Sequence, residues 1–334
     1  MVGRASGLIG GSLLGYLLRR LAASLLILLL ILTLAFFFLH LLPGGPTQFF
    51  EGQKVLSLAQ HRNLERIYGL DRPLPEQYLR WLGSVARWDW GSSISQQRPV
   101  STAISEALSA TAVLSLAALA CEYGLALLLG VVSARRRGTV VDHGIRVGTL
   151  FLYSQPVFWL GLMSILLFSY VWPVLPAGHM RSVDADLMSP AGRWLDLARH
   201  LILPAVVMAL GSAGATARFV RSSLIEVMSQ DYIRTARAKG LSERRVVWVH
   251  GLRNAIVPLI VVFTISLPGL LSSAVVVEVV FSWPGLGRLL FQAVGARDYP
   301  LILGATAFSA TAVVLSNLLA DLLHALADPR VRDA

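Results

Sequence analysis

Few side chains in this sequence could do chemistry inside apolar surroundings. Ser212, in Leu210-Gly211-Ser212-Ala213-Gly214, and His324 come nearest to a nucleophile and its base. The Gly-x-Ser-Gly arrangement of an intramembrane protease fails, because Leu210 and Ala213 occupy the glycine positions. His324 also falls near the end of its apolar run and Ser212 near the middle of another, whereas nucleophile and base must lie within hydrogen-bond reach. Small residues that let helices approach closely explain the stretch better. Glu122, Glu278 and Asp321 are the acids in or near apolar runs. An acid there is costly and marks a pathway or a partner contact by default. Glu278 and Asp321 fall near the ends of their runs, where water is expected to reach them. Glu122 falls inside its run, and a functional and a structural role both stand. With Gln155 and Ser212, Glu122 and Glu278 form the candidate pathway or polar-core set. No Walker A loop, Gly-x-Gly-x-x-Gly or His-Glu-x-x-His is present, so the chain carries no recognised phosphate loop or zinc-protease pair. Cys121 is the only cysteine, which excludes an intrachain disulfide and a cysteine metal cluster. No catalytic residue, metal or cofactor is expected in this chain.

The elements that hold these residues are membrane spans. Of 334 residues, 55% are hydrophobic and only 14% charged, against about 25% charged in a soluble domain. A bilayer core of roughly 30 Å needs about 20 mostly apolar helical residues. Six stretches qualify: 21–42, 107–134, 145–172, 201–217, 256–281 and 301–326. The first is too long for a signal-peptide core, and Pro43-Gly44-Gly45-Pro46 offers no small-x-small cleavage site, so it is read as a retained span. Pro156, Pro204 and Pro268-Gly269 interrupt later spans and place them in a bundle, where neighbours re-satisfy the freed backbone groups. The formal charge of +10 would suggest nucleic acid in a soluble protein. No nucleic-acid signature with aromatic interleaving accompanies it, and Lys/Arg concentrate in the segments that are cytoplasmic if both termini are inside. Arg135-Arg136-Arg137, just after the second span, gives the sharpest vote for that N-in, C-in topology.

The expected organisation is a cytoplasmic N-terminus (1–20), a first transmembrane helix (21–42), an extracytoplasmic helical segment (43–106), a five-helix core (107–326) and a cytoplasmic tail (327–334). In the outer segment Leu64, Ile67, Tyr68, Tyr78, Leu79, Trp81 and Leu82 recur at helical spacing, broken by Pro73 and Pro75, which predicts a small cap of short helices. Trp88 and Trp90 read as interface anchors.

The five-helix core contains one long polar segment, 218–254, with eight Lys/Arg against Glu226, Asp231 and Glu243. Val220, Leu224, Ile225 and Met228 make an apolar stripe that continues the fourth span as helix. Asp231 is expected to cap a second short helix through Ala238, Gly240 to break it, and Ser242 to cap a third. Helix, glycine turn, helix makes a rigid knob at the membrane surface. An amphipathic loop binding anionic lipid is the alternative on charge alone.

Here the sequence resembles the coupling loop of permease subunits in ATP-binding-cassette importers, in the B-type form of the dipeptide/oligopeptide/nickel family. The resemblance rests on DYIRTARAKGLSERRVVWVHGLRNAIVPL and extends over nearly the whole chain, through LPGGP, GLDRPLPEQYLRWL, WDWGSS, EVVFSWPGLGRLL, ARDYPLI and ADPRVR. The first position of the family's E-A-A-x-x-x-G falls on Arg234, followed by Thr235 and Ala236, with the glycine at Gly240. The downstream I-x-L-P falls on His250, Leu252 and Arg253, so the glutamate and the proline are both replaced.

The resemblance implies an all-α membrane protein of six transmembrane helices with the type I importer permease fold. It implies ATPase coupling through Asp231, Arg234, Thr235, Ala236, Lys239, Gly240 and Leu241. Expected partners are a second, C-type permease, two ATP-binding-cassette ATPase subunits or domains that bind ATP and Mg, an extracytoplasmic substrate-binding protein and the lipid bilayer, with no nucleic acid. The expected place is the bacterial cytoplasmic membrane. The expected cargo is di- or oligopeptides, with nickel complexes, glutathione or another small solute as the alternative.

Overall fold

The computed structural model describes residues 13–41, 71–256, 259, 263 and 274–327, and among them it is helical apart from one isolated bridge between Ser92 and Pro99. In chain order the helices are α1 (Leu13–Leu41), α2 (Leu74–Ala86), α3 (Val100–Arg135), α4 (Val140–Tyr153), α5 (Val157–Ile165, running on as a π-helical turn, Leu166–Val171) and α6 (Pro190–Met228). Then come α7 (Asp231–Ala238), α8 (Glu243–Arg245, a π-helical stretch Val246–Gly251, and Leu252–Ala255), α9 (274–280), α10 (Leu286–Gly295) and α11 (Tyr299–Ala327). Among the described residues, four helices are long and apolar enough to cross a membrane, or five if α4 and α5 count as one bent span. The fifth expected span, 256–281, lies largely outside the described residues, as do Pro268-Gly269 and the Leu64, Ile67 and Tyr68 part of the outer cap.

Three expected boundaries move. The second span begins at Val100 rather than 107, inside the stretch assigned to the outer segment, and its 36 residues make a helix of about 54 Å. The fourth span belongs to a 39-residue helix, about 58 Å, that carries the first part of the polar segment well past the thickness of a bilayer. The third span, expected as one helix over 145–172, is two helices bent by 101° about Ser154-Gln155-Pro156. Pro156 has no N–H to continue the ladder and sits in extended backbone at ψ 134°, so the helix stops and restarts. Pro204 stays inside α6, where a continuous helix absorbs its missing bond. At the expected break, Pro73 and Pro75 stand at the start of α2, because a proline in the first turn removes an N–H that has no helical partner anyway.

The chain divides into two compact units. In the first, Met1–Ala110 with Gly285–Leu318 and Arg332–Ala334, the early turns of α3 (Val100, Ala103, Ile104, Ala107) bury against Leu286, Leu289 and Ala293 of α10 and Leu301 and Ala305 of α11. Phe36 of α1 packs on Tyr78 and Trp81 of α2 at 5.4 and 5.3 Å between ring centroids. Asp298 staples this unit. Its carboxylate accepts from Ser93 Oγ (2.6 Å), Ser95 N (2.8 Å) and Ser95 Oγ (2.7 Å), and from Leu301 N (3.2 Å) at the start of α11. Trp88 is exposed, as an interface anchor requires, whereas Trp90 is half-buried against Phe308 at 5.1 Å.

The second unit, Thr111–Pro284 with Leu319–Val331, is held by close approaches to α6. A Cβ on Gly214 would meet Thr149 O at 2.9 Å, and one on Gly130 would meet Val220 Cβ at 2.7 Å. The small residues around Ser212 therefore do serve helix packing. Ser212 itself donates to Ala209 O of its own helix at 3.4 Å.

Candidate functional site

The polar segment folds as a knob at the end of α6. That helix closes at Ser229, whose hydroxyl donates to Glu226 O at 2.6 Å. Gln230, not Asp231, takes the capping position of α7, in extended backbone with ψ 152°. Asp231 stands one residue inside, where its charge favours the helix N-terminus. It pairs with Arg234 at 3.3 Å, both side chains exposed, a contact worth well under 1 kcal/mol.

One face of α7 buries Ile233 and Ala236 against Val246 of α8, with Met228 and Leu241 packed alongside. The turn is a complete left-handed helix stop. Gly240 lies at φ +77°, its N–H donates to Arg237 O (2.9 Å), and Leu241 N donates to Ala236 O (3.4 Å). These are the two reversed bonds of a glycine C-cap, with the expected apolar contact of Leu241 on the Ala236 cluster. Ser242 starts α8 from the capping position without a side-chain bond, so its backbone geometry alone does the capping.

Two ties cross the turn. Arg237 Nη2 lies 2.8 Å from Glu243 Oε1, and Asn254 Nδ2 donates to Tyr232 OH at 2.7 Å. Beneath the knob, Val247, Leu252, Ala255 and Leu259 bury against Val131 of α3 and Val220 and Leu224 of α6. A Cβ on Gly251 would press on Met228 Sδ at 3.0 Å, which fixes how closely α8 lies on α6. The knob is thus a packed body continuous with two long helices.

The seven coupling candidates separate by role. Asp231, Arg234, Thr235 and Lys239 are exposed on the outer face, and Gly240 is exposed at the tip. Ala236 is buried, so it supports the knob from within and offers no side chain to a partner. Leu241 is half-buried against the same core.

The polar-core candidates are not one site. Glu122 is 1% exposed, with Thr216 Oγ1 donating to one oxygen at 2.9 Å and its Oε2 meeting no partner among the described residues. Thr216 also lies 3.5 Å from Ser212 O, which makes Ser212 a neighbour of that pair. Glu278, expected within reach of water, is 0% exposed and accepts from Thr111 Oγ1 at 2.6 Å. The turn that follows its helix carries Phe281 and Trp283, both fully buried, and these shut out the water that a helix end would normally admit. Gln155 sits at the bend between α4 and α5 and donates to Phe151 O at 3.3 Å. Asp321 is half-buried.

Sequence reading missed a buried joint below these groups. Arg221 donates to both oxygens of Asp142, at 2.8 Å each. Asp142 also accepts from Ser133 Oγ and from Gly138 N (3.0 Å), tying the end of α3, the arginine turn, α4 and α6 together. The only sequence signal was an acid next to a run of arginines, which reads as a solvated turn.

Long apolar helices, a bent span and a packed polar knob define a membrane protein of the helical class. The family described as "Binding-protein-dependent transport system inner membrane component" matches residues 126–333, and its N-terminal membrane component matches residues 13–115. The chain is 38% identical over 333 residues to the di/tripeptide transport system permease protein DppB of Pseudomonas aeruginosa (strain UCBPP-PA14), covering 96% of this chain and 99% of that one. It is 36% identical over 336 residues to the dipeptide transport system permease protein DppB of Escherichia coli (strain K12), with the same coverage. It is 38% identical over 317 residues to the oligopeptide transport system permease protein AppB of Bacillus subtilis (strain 168), covering 95% and 98%. The chain belongs to the binding-protein-dependent transport system inner membrane components, as a B-type permease subunit of ATP-binding-cassette importers in the bacterial inner membrane.

Proposed function

We propose that the chain forms half of the pathway of an ATP-driven importer of di- or oligopeptides and couples that pathway to cytoplasmic ATPases through the 231–241 knob. Similarity over nearly full length to three peptide permeases supports the cargo. The knob's geometry carries the coupling. Its apolar residues are spent on holding α7 and α8 to α6, while Arg234, Thr235 and Lys239 stay exposed and contribute little to the fold. A packed helix pair moves as a body, so closure of an ATPase pair around it would rock α6 and α3 and open the path alternately to each side.

The proposed topology has six spans with both termini inside and an extracytoplasmic helical segment after the first. Within the second unit, Val131, at the end of α3, packs with the knob's underside, which puts the arginine turn and the knob at one end, as that topology requires. Partners are a C-type permease for the other half of the path, ATPase subunits that bind and hydrolyse ATP with Mg, and an extracytoplasmic binding protein that delivers cargo.

Uptake of a labelled dipeptide in cells carrying Arg234→Glu with Lys239→Glu tests this reading. Reversing two exposed charges should cut uptake roughly tenfold or more by like-charge repulsion at the ATPase contact, with the chain still in the membrane. Unchanged uptake would overturn the coupling role.

A further inference from the structure

The arginine turn does more than its count of charges requires. A cavity of about 410 Å³ opens between this turn and the knob, rimmed by Arg135 and Arg137 and floored by Leu224, Ile225, Met228 and Val247. Neither rim arginine's side chain is hydrogen-bonded or ion-paired to a described residue, while the third cation on the lining, Arg237, is neutralised by Glu243. Arg136, between the two, does not line the cavity.

The rim is also held in place. Gly138 closes α3 at φ +78°, and its N–H is bonded to Asp142, which Arg221 and Ser133 anchor in turn. A charge that only orients the chain in the membrane needs no such fixed geometry and no apolar floor.

We infer that this cavity binds the phosphate headgroup of an anionic phospholipid from the cytoplasmic leaflet, with Arg135 and Arg137 on the phosphate and the apolar floor under the first acyl carbons. Guanidinium groups suit phosphate oxygens because their planar donors can engage two at once. A free phosphate would satisfy the rim and leave the half-buried Ile225 and Met228 facing water, whereas a lipid covers both. Basic pockets between transmembrane helices on the cytoplasmic side take such headgroups. The lipid would sit against Met228 and Val247, the residues that join α6 to the knob, and so stiffen the joint through which coupling passes. The inference rests on the membrane setting and on the cytoplasmic placement of the turn, not on the cargo.

The test uses the chain in its purified membrane complex, reconstituted in nanodiscs of phosphatidylcholine with or without phosphatidylglycerol, and reads retained lipid by native mass spectrometry. Wild type should retain phosphatidylglycerol in preference to phosphatidylcholine. Arg135→Gln with Arg137→Gln should bind it roughly thirtyfold more weakly, two basic groups being lost, and Arg136→Gln should bind it as wild type does. Equal loss with Arg136→Gln would reduce the effect to a general positive field and overturn the site. Undiminished retention in the double variant would overturn it as well. Inorganic phosphate added to phosphatidylcholine discs separates the sources, since thermal protection by phosphate equal to that by phosphatidylglycerol would exclude the lipid as ligand. Lipid retention is read without transport, so its failure is distinct from a failure of the coupling role.

Discussion

Asp142 and Glu122 are both 1% exposed and lie in the same unit, yet among the described residues Asp142 receives two bonds from Arg221, one from Ser133 and one from Gly138, whereas Glu122 receives one from Thr216 and keeps an oxygen without a partner. Burying a carboxylate is costly unless its lone pairs are filled. The first acid meets that condition with four bonds from three places in the chain and so becomes a joint. The second meets it halfway, which stability alone does not explain and which keeps it a pathway candidate.

Asp142→Ala should have the largest effect. It leaves the Arg221 guanidinium, 20% exposed, without its counter-charge and unties α3, α4 and α6, at a cost of about 3 kcal/mol. The unfolding temperature of the detergent-solubilised complex and the level of the chain in the membrane should both fall. A loss no greater than that of Glu122→Ala would break the contrast. Thr216→Val comes next, because it removes the bond to Glu122 and should cost about 1–3 kcal/mol in the same assay. Glu122→Gln should cost least, within about 1 kcal/mol, since the amide oxygen keeps the Thr216 bond and the new N–H₂ replaces the oxygen that had no partner. If Glu122 lines the path, this variant lowers the maximal rate of peptide uptake at unchanged stability. Equal loss of rate and stability would return Glu122 to a packing role.

Much of the knob was legible from local signals. The stripe Val220, Leu224, Ile225 and Met228 placed the continuation of α6, and Gly240 placed the stop, because only a residue without Cβ takes φ +77° at little cost. The cap was misplaced by one residue, at Asp231 instead of Gln230, because Asp is the better capping residue while the tertiary packing of Ile233 and Ala236 chose the register. The motifs WDWGSS and ARDYPLI stood 200 residues apart in sequence as unrelated marks of the family. Asp298 shows them to be two sides of one staple. A pairing between residues so distant leaves no local trace, since neither Ser93 nor Asp298 looks different from a turn residue.

By itself the sequence determined what depends on neighbours along the chain: which of the described segments are apolar enough for lipid, and where a glycine stops a helix. Tertiary structure decided what depends on distant contacts. It shut Glu278 away from water, turned Pro156 into a 101° bend while Pro204 stayed in a continuous helix, and gave Asp142 its partner in Arg221. Hydropathy and capping are set over one or two helical turns, whereas burial and ion pairing are set by whichever helix packs alongside.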